Sequence, residues 1–104
     1  MVEIVAKNLD RIIDACKKMQ VKHLYLFGSG SREHAFNNKS DLDFLFQFIN
    51  DSTGMPVSGC DYFDLLFKLE EITGKKVDLV AEERIRNKYF LKSISESKIK
   101  IYEA

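Results

Sequence analysis

Cysteine occurs only twice in this 104-residue sequence, as Cys16 and Cys60, and proline once, as Pro56. Two thiols in a chain of this size are no disulfide framework, and no Cys-x-x-Cys pair is present, so a reducing, cytoplasmic setting is the expectation. No apolar run approaches the roughly 20 residues of a membrane span, and the first residues carry no signal-peptide apolar block. Net charge is absent too: the formal balance is +0, which excludes a global basic field for nucleic acid. There is no internal repeat and no low-complexity segment, and the length predicts a single domain over 1–104.

What is present is unevenly placed. Residues 41–71 hold Asp41, Asp43, Asp51, Asp61, Asp64, Glu70 and Glu71 against Lys68 alone. Residues 84–100 hold Arg84, Arg86, Lys88, Lys92, Lys98 and Lys100 against Glu96 alone. This asymmetry suggests an acidic metal site and a basic surface elsewhere.

Periodicity orders the chain. Val5, Leu9, Ile12, Ile13, Cys16 and Met19 recur at helical spacing and predict a helix over 3–19. Residues 22–27 read as a strand feeding a turn at Gly28-Ser29, and 30–36 as a short helix. In a second strand, 41–48, Leu42, Phe44, Phe46 and Phe48 point one way, and Asp41, Asp43, Leu45 and Gln47 the other. Residues 49–60 form the longest loop, read either as mobile or as cover for the site. Asp61 caps a helix over 61–73 with Tyr62, Leu65, Leu66, Leu69 and Ile72 as its apolar stripe, and Gly74 ends it. A third strand, 76–80, carries Asp78 on the face opposite Val77 and Leu79. A last helix follows over 88–96, with Tyr89, Phe90 and Ile94 inward, and an edge strand over 98–102. Helices alternating with strands predict an α/β (α+β) fold with helices covering a small sheet.

Two carboxylates at i and i+2 of a strand repel each other, and a divalent cation removes that cost. A Gly-Ser turn offers backbone N–H groups to phosphate oxygens. Together they suggest a site for a metal-bound nucleoside triphosphate. An acid inside so short an apolar strand as 76–80 needs a reason, and a metal shared by Asp41, Asp43 and Asp78 supplies one. Neither His23 nor His34 has a cysteine or carboxylate at ligand spacing, which argues against zinc. Gly28-Ser29-Gly30 lacks the Gly-Lys-Ser/Thr ending of a P-loop.

The ordered set Gly28-Ser29-x-Ser31-Arg32, Ser40-Asp41-Leu42-Asp43 and Val77-Asp78-Leu79, with the tail Asn87-Lys-Tyr-Phe and Lys100-Ile-Tyr-Glu, resembles the minimal nucleotidyltransferase (MNT) family of the DNA polymerase beta-like superfamily. The resemblance implies a small mixed sheet of about four strands with helices mainly on one face. It implies catalysis and Mg²⁺ binding by Asp41, Asp43 and Asp78, and ATP phosphate binding by Gly28, Ser29 and Arg32. It further implies transfer of AMP to an acceptor hydroxyl, with pyrophosphate leaving. MNT proteins of this size pair with helical HEPN toxins as antitoxins, so a tyrosine of a HEPN partner is the implied acceptor. A second copy of the chain is a further candidate partner; a membrane and extensive nucleic-acid contact are not expected. Glu33 departs from the family's small residue after that arginine and favours a second reading, a weak or inactive module that neutralises its partner by binding alone. A third, a modifier of small molecules such as aminoglycosides, is disfavoured because no acceptor domain follows the core.

Overall fold

The structure, a computed structural model, describes residues 1–28 and 41–104. Four strands form one mixed sheet: β1 (Val21–Phe27), β2 (Leu42–Phe48), β3 (Val77–Ala81) and β4 (Ile99–Glu103), in the order β3-β2-β1-β4. β1 runs antiparallel to β2 and β4, whereas β2 and β3 are parallel. A parallel pair needs a crossover, and α3 (Tyr62–Thr73) supplies it between β2 and β3.

Helices α1 (Glu3–Ala6), α2 (Leu9–Lys18) and α3 cover one face. Their Val5, Ile12, Cys16, Leu65 and Leu69 pack on Leu24, Leu26, Leu42, Phe44, Phe46 and Phe48 in one core. Helix α4 (Lys88–Ser97) crosses the other face, where Ile94 meets Phe27 and Leu45. The alternation expected in β2 therefore holds: its phenylalanines enter the main core, while Asp43 and Leu45 share the α4 face.

The helix expected over 3–19 is two helices. At the junction Asn8 leaves helical geometry (φ −109°, ψ 11°), and its side-chain amide donates to the Ile4 carbonyl at 2.8 Å. Asparagine competes with the backbone for such bonds, which is why the helix breaks there. In β1 a bulge between Val21 and His23 lets both Val21 and Leu24 reach the same core despite their odd separation. Helix α3 begins with a full capping box: Asp61 accepts from the Asp64 amide, and Asp64 accepts from the Asp61 amide. It ends at Gly74, left-handed at φ 67°.

Two expectations are corrected. Residues 49–60 neither dangle nor cover the acids. Asp51 accepts from the Thr53 amide and hydroxyl and from the Met55 amide, Val57 donates to Ile49, and Asn50 bridges Pro56. This tied loop lies past the end of β2, whereas Asp41 and Asp43 stand at its start. Tyr89 and Phe90, expected inward, are 86% and 43% exposed. Three bulky apolar residues in a row, Tyr89-Phe90-Leu91, cannot share one stripe of a helix turning about 100° per residue, and only Ile94 of α4 is buried.

Candidate functional site

The acids meet at the edge where β1 ends and β2 and β3 begin. In the register, Asp43 stands beside Asp78 on one side and Phe27 on the other. Directly opposed residues share a face, so Asp78, Asp43 and Phe27 form one row across the sheet. The next row, Val80, Leu45 and Tyr25, is apolar and lies under α4 and Ile85. The row beyond it holds His23, whose Nε2 pairs with the Glu82 carboxylate in the short 3-10 turn Glu82–Arg84.

Asp43 is the perturbed member of the acidic row. Partial burial, then the charge of Asp78, then that of Asp41 push its carboxyl up to about 6 from the ordinary 3.8. Three negative charges thus act on one another at this edge. Asp41 sits just before β2 and is exposed, as is Asp78, so the set opens to solvent on one side.

Gly28 closes the other side. Its φ is +67°, and a Cβ placed there would lie 2.5 Å from Asp43 Oδ2. Only glycine admits both that backbone conformation and that carboxylate. The chain therefore leaves β1 with the Gly28 backbone directly against Asp43. Ser29, Arg32, Glu33 and His34, together with the short helix expected over 30–36, lie outside the described residues.

The donor set is all carboxylate oxygen. Among the described residues no three side chains of the acidic, imidazole or thiol kind converge as a ready-made metal cage. An open pair of carboxylates on one edge is nevertheless the chemistry that Mg²⁺ uses, because it keeps waters and takes phosphate oxygens as its remaining ligands. The residues present fit that ion.

A groove of about 880 Å³ lies at the opposite ends of β2 and β3, lined by Phe46, Phe48, Met55, Pro56, Tyr62 and Leu79 among others. None of the three acids lines it. The chemistry is sought at the acidic edge, where carboxylates face one another across neighbouring strands, whereas the ionisable groups of the groove (Asp61, Glu83 and Arg84) include no such opposed carboxylate pair. Among the described residues no helix is long and apolar enough to cross a membrane.

The residue that periodicity placed inward and the structure leaves exposed beside the acids is Phe90. Its ring stands edge-on to Phe27 at 6.2 Å between centroids, next to the acidic row. The signal was available in the three consecutive bulky residues of α4, which oblige at least one of them to face outward.

Comparison with known proteins agrees with this geometry. The sequence profile of the nucleotidyltransferase domain matches residues 9–101. A Methanocaldococcus jannaschii protein named "Putative protein adenylyltransferase MJ1379" is 39% identical over 97 residues, covering 93% of this chain and 90% of that protein. A solved structure described as a "putative minimal nucleotidyltransferase" superposes with a TM-score of 0.73 at 23% identity, covering 95% of each chain. The fold is also that of a chain in a toxin–antitoxin crystal structure with AMP-PNP (TM-score 0.69, 20% identity, 93% of this chain and 74% of that one). It recurs in a tri-AMPylated HEPN toxin–MNT antitoxin complex of Shewanella oneidensis (TM-score 0.62, 18% identity, 95% and 72%). The acidic edge, the glycine seated against it and the matched profile together make this chain a member of the nucleotidyltransferase domain family.

Proposed function

We propose that this nucleotidyltransferase moves AMP from ATP to the hydroxyl of a protein tyrosine, and that the acceptor belongs to a helical toxin of the HEPN class. The observation that carries the reading is the row formed by Asp43 and Asp78 with Gly28 packed against Asp43. Two relatives named as protein adenylyltransferases and the toxin–antitoxin folds support the acceptor class. In this reading the chain works in the cytoplasm as a single-domain antitoxin.

Asp41 and Asp43 would hold the triphosphate-bound Mg²⁺, and Asp78 with Asp43 a second metal position. Bound there, the ion supplies charge neutralisation at the phosphates and acidifies the acceptor hydroxyl. Asp78 lies on the exposed side of the row, where it can receive the proton of the incoming hydroxyl. The tyrosine oxygen then forms a bond to the α-phosphorus while the bond from that phosphorus to the bridging oxygen breaks. Pyrophosphate leaves with the electron pair. Gly28 keeps the approach to Asp43 clear, and Ser29 and Arg32 are assigned to the β- and γ-phosphates, where a hydroxyl and a guanidinium give charge-assisted contacts. Holding both reactants in line and neutralising charge supplies most of what such a transfer needs.

The test is mass spectrometry of a HEPN-class helical protein, which this reading expects to be encoded beside the chain, after incubation with this protein, ATP and Mg²⁺. A mass gain of one AMP on a tyrosine, lost with Asp41→Asn or Asp43→Asn, is expected. A stable complex without an adduct would refute transfer to that protein and favour neutralisation by binding alone, the reading that Glu33 supports.

A further inference from the structure

The carboxylate row accounts for a triphosphate and leaves its base without a partner. Carboxylates cannot hold a flat apolar ring, yet the α-phosphorus must sit at Asp43 and Asp78, so the base comes to rest one sugar away from that row. Among the described residues, the exposed aromatic ring nearest the row by contact is Phe90. Asp43 opposes Phe27 in the sheet, and Phe27 meets Phe90 edge-on at 6.2 Å between centroids. Phe27 is almost fully buried, so it fixes the Phe90 ring from beneath, while Phe90 keeps 43% of its surface open. Tyr89 beside it is 86% exposed. The helix turn that carries them is pinned by Asn87, whose side chain accepts from the amides of Tyr89 and Phe90 at 2.9 and 3.2 Å. Exposed Arg86 and Lys88 flank this turn with positive charge, which complements a polyphosphate rather than a cationic or purely apolar ligand.

We infer that Phe90, backed by Phe27 and flanked by Tyr89, is the stacking shelf for the nucleobase of the triphosphate. The inference rests on the nucleotide reading of the acidic edge and deepens it by naming the base subsite. An aromatic face takes any base, and so the shelf supplies affinity and orientation rather than strict choice among nucleotides.

Binding of Mg²⁺-ATP and of Mg²⁺-tripolyphosphate to the full chain separates the possibilities. Phe90→Ala is expected to weaken ATP binding between about fivefold and about a hundredfold, the range of base–aromatic stacking, and to leave tripolyphosphate binding unchanged. Phe90→Trp is expected to keep ATP affinity. The chain contains no tryptophan, so the variant's indole emission is a clean reporter, expected to be quenched by ATP and not by tripolyphosphate. If Phe90→Ala binds ATP as the wild type does, or loses both ligands equally, the shelf is refuted. Unquenched emission of Phe90→Trp at saturating ATP refutes it as well. The underlying nucleotide reading is tested apart by Asp43→Asn. Weakened binding of both ligands supports it whatever Phe90 does, and unchanged binding of both removes the nucleotide site and the shelf together.

Discussion

Replacing Asp43 by asparagine is expected to stabilise the metal-free protein near neutral pH while abolishing transfer. Burial and the charges of Asp78 and Asp41 hold the Asp43 carboxyl up to about 6, above its ordinary 3.8. The folded protein therefore binds this proton more tightly than the unfolded chain does. Stability from the protonated form is complete below pH 3.8 and is lost as pH rises through about 6. Unscreened, that displacement corresponds to about 3 kcal/mol. Asp43 is only partly buried, and solvent screening brings the figure to about 1–2 kcal/mol. In a domain of about 100 residues each kcal/mol moves Tm by about 4–8 °C, so Asp43→Asn should melt about 5–10 °C higher at pH 7.5. The amide does not titrate, so the gap should open between about pH 4 and pH 7 and close in acid. Thermal melts in EDTA across that range read it directly. Millimolar Mg²⁺ should narrow the gap from the other side by stabilising the wild type alone. An asparagine variant that melts lower than wild type at pH 7.5 in EDTA, or a gap that ignores pH, would refute the account of the acids as mutually repelling.

Three further outcomes are expected. Gly28→Ala places a methyl group 2.5 Å from Asp43 Oδ2 at a left-handed φ, so it should cost about 1–2 kcal/mol in a urea titration and lower transfer about a hundredfold, because the carboxylate must move. Asp61→Ala removes one half of the α3 capping box and should cost about 1 kcal/mol in the same titration, with ATP affinity unchanged. Phe44→Ala empties a fully buried position in the main core and should cost about 3–5 kcal/mol, enough to leave a marginally stable domain partly unfolded by circular dichroism at 37 °C.

What was legible in the sequence follows the physics of each signal. Alternation in β2 is strong because a one-residue slip would send Phe44 and Phe46 to the wrong face, so the side of the sheet that Asp43 occupies could be read directly. The α3 boundaries were legible for a local reason: Asp61 and Asp64 satisfy each other's amides, and Gly74 supplies the left-handed turn that ends the helix. Strand direction was not legible from periodicity, which is blind to polarity. It resides in the connections: α3 is the crossover that lets β2 and β3 run parallel, and that pairing brings Asp78 level with Asp43. The break at Asn8 was missed because the apolar stripe runs on through it, Val5 and Ile12 entering one core from two helices.

The placement of Phe90 escaped for a different reason, and it bears on the site. A stripe count asks whether an apolar residue can be buried, not whether there is apolar surface to receive it. Among the described residues, the sheet offers α4 the apolar Leu45, Tyr25 and Val80, with Phe27 at the end of the acidic row itself, and Ile94 packs on Phe27 and Leu45. With a charged row at its edge, the α4 face of the sheet has no room for three large side chains, and the first turn of the helix must leave aromatic surface in water. The acids that make the edge fit for phosphate chemistry are thus also what keeps Phe90 uncovered. Replacing Asp43 or Asp78 by leucine would extend the apolar patch and is expected to draw Phe90 inward, read as slower hydrogen exchange at the Tyr89 and Phe90 amides. Unchanged exchange in both variants would show that α4 alone, not the acidic row, sets the exposure of that ring.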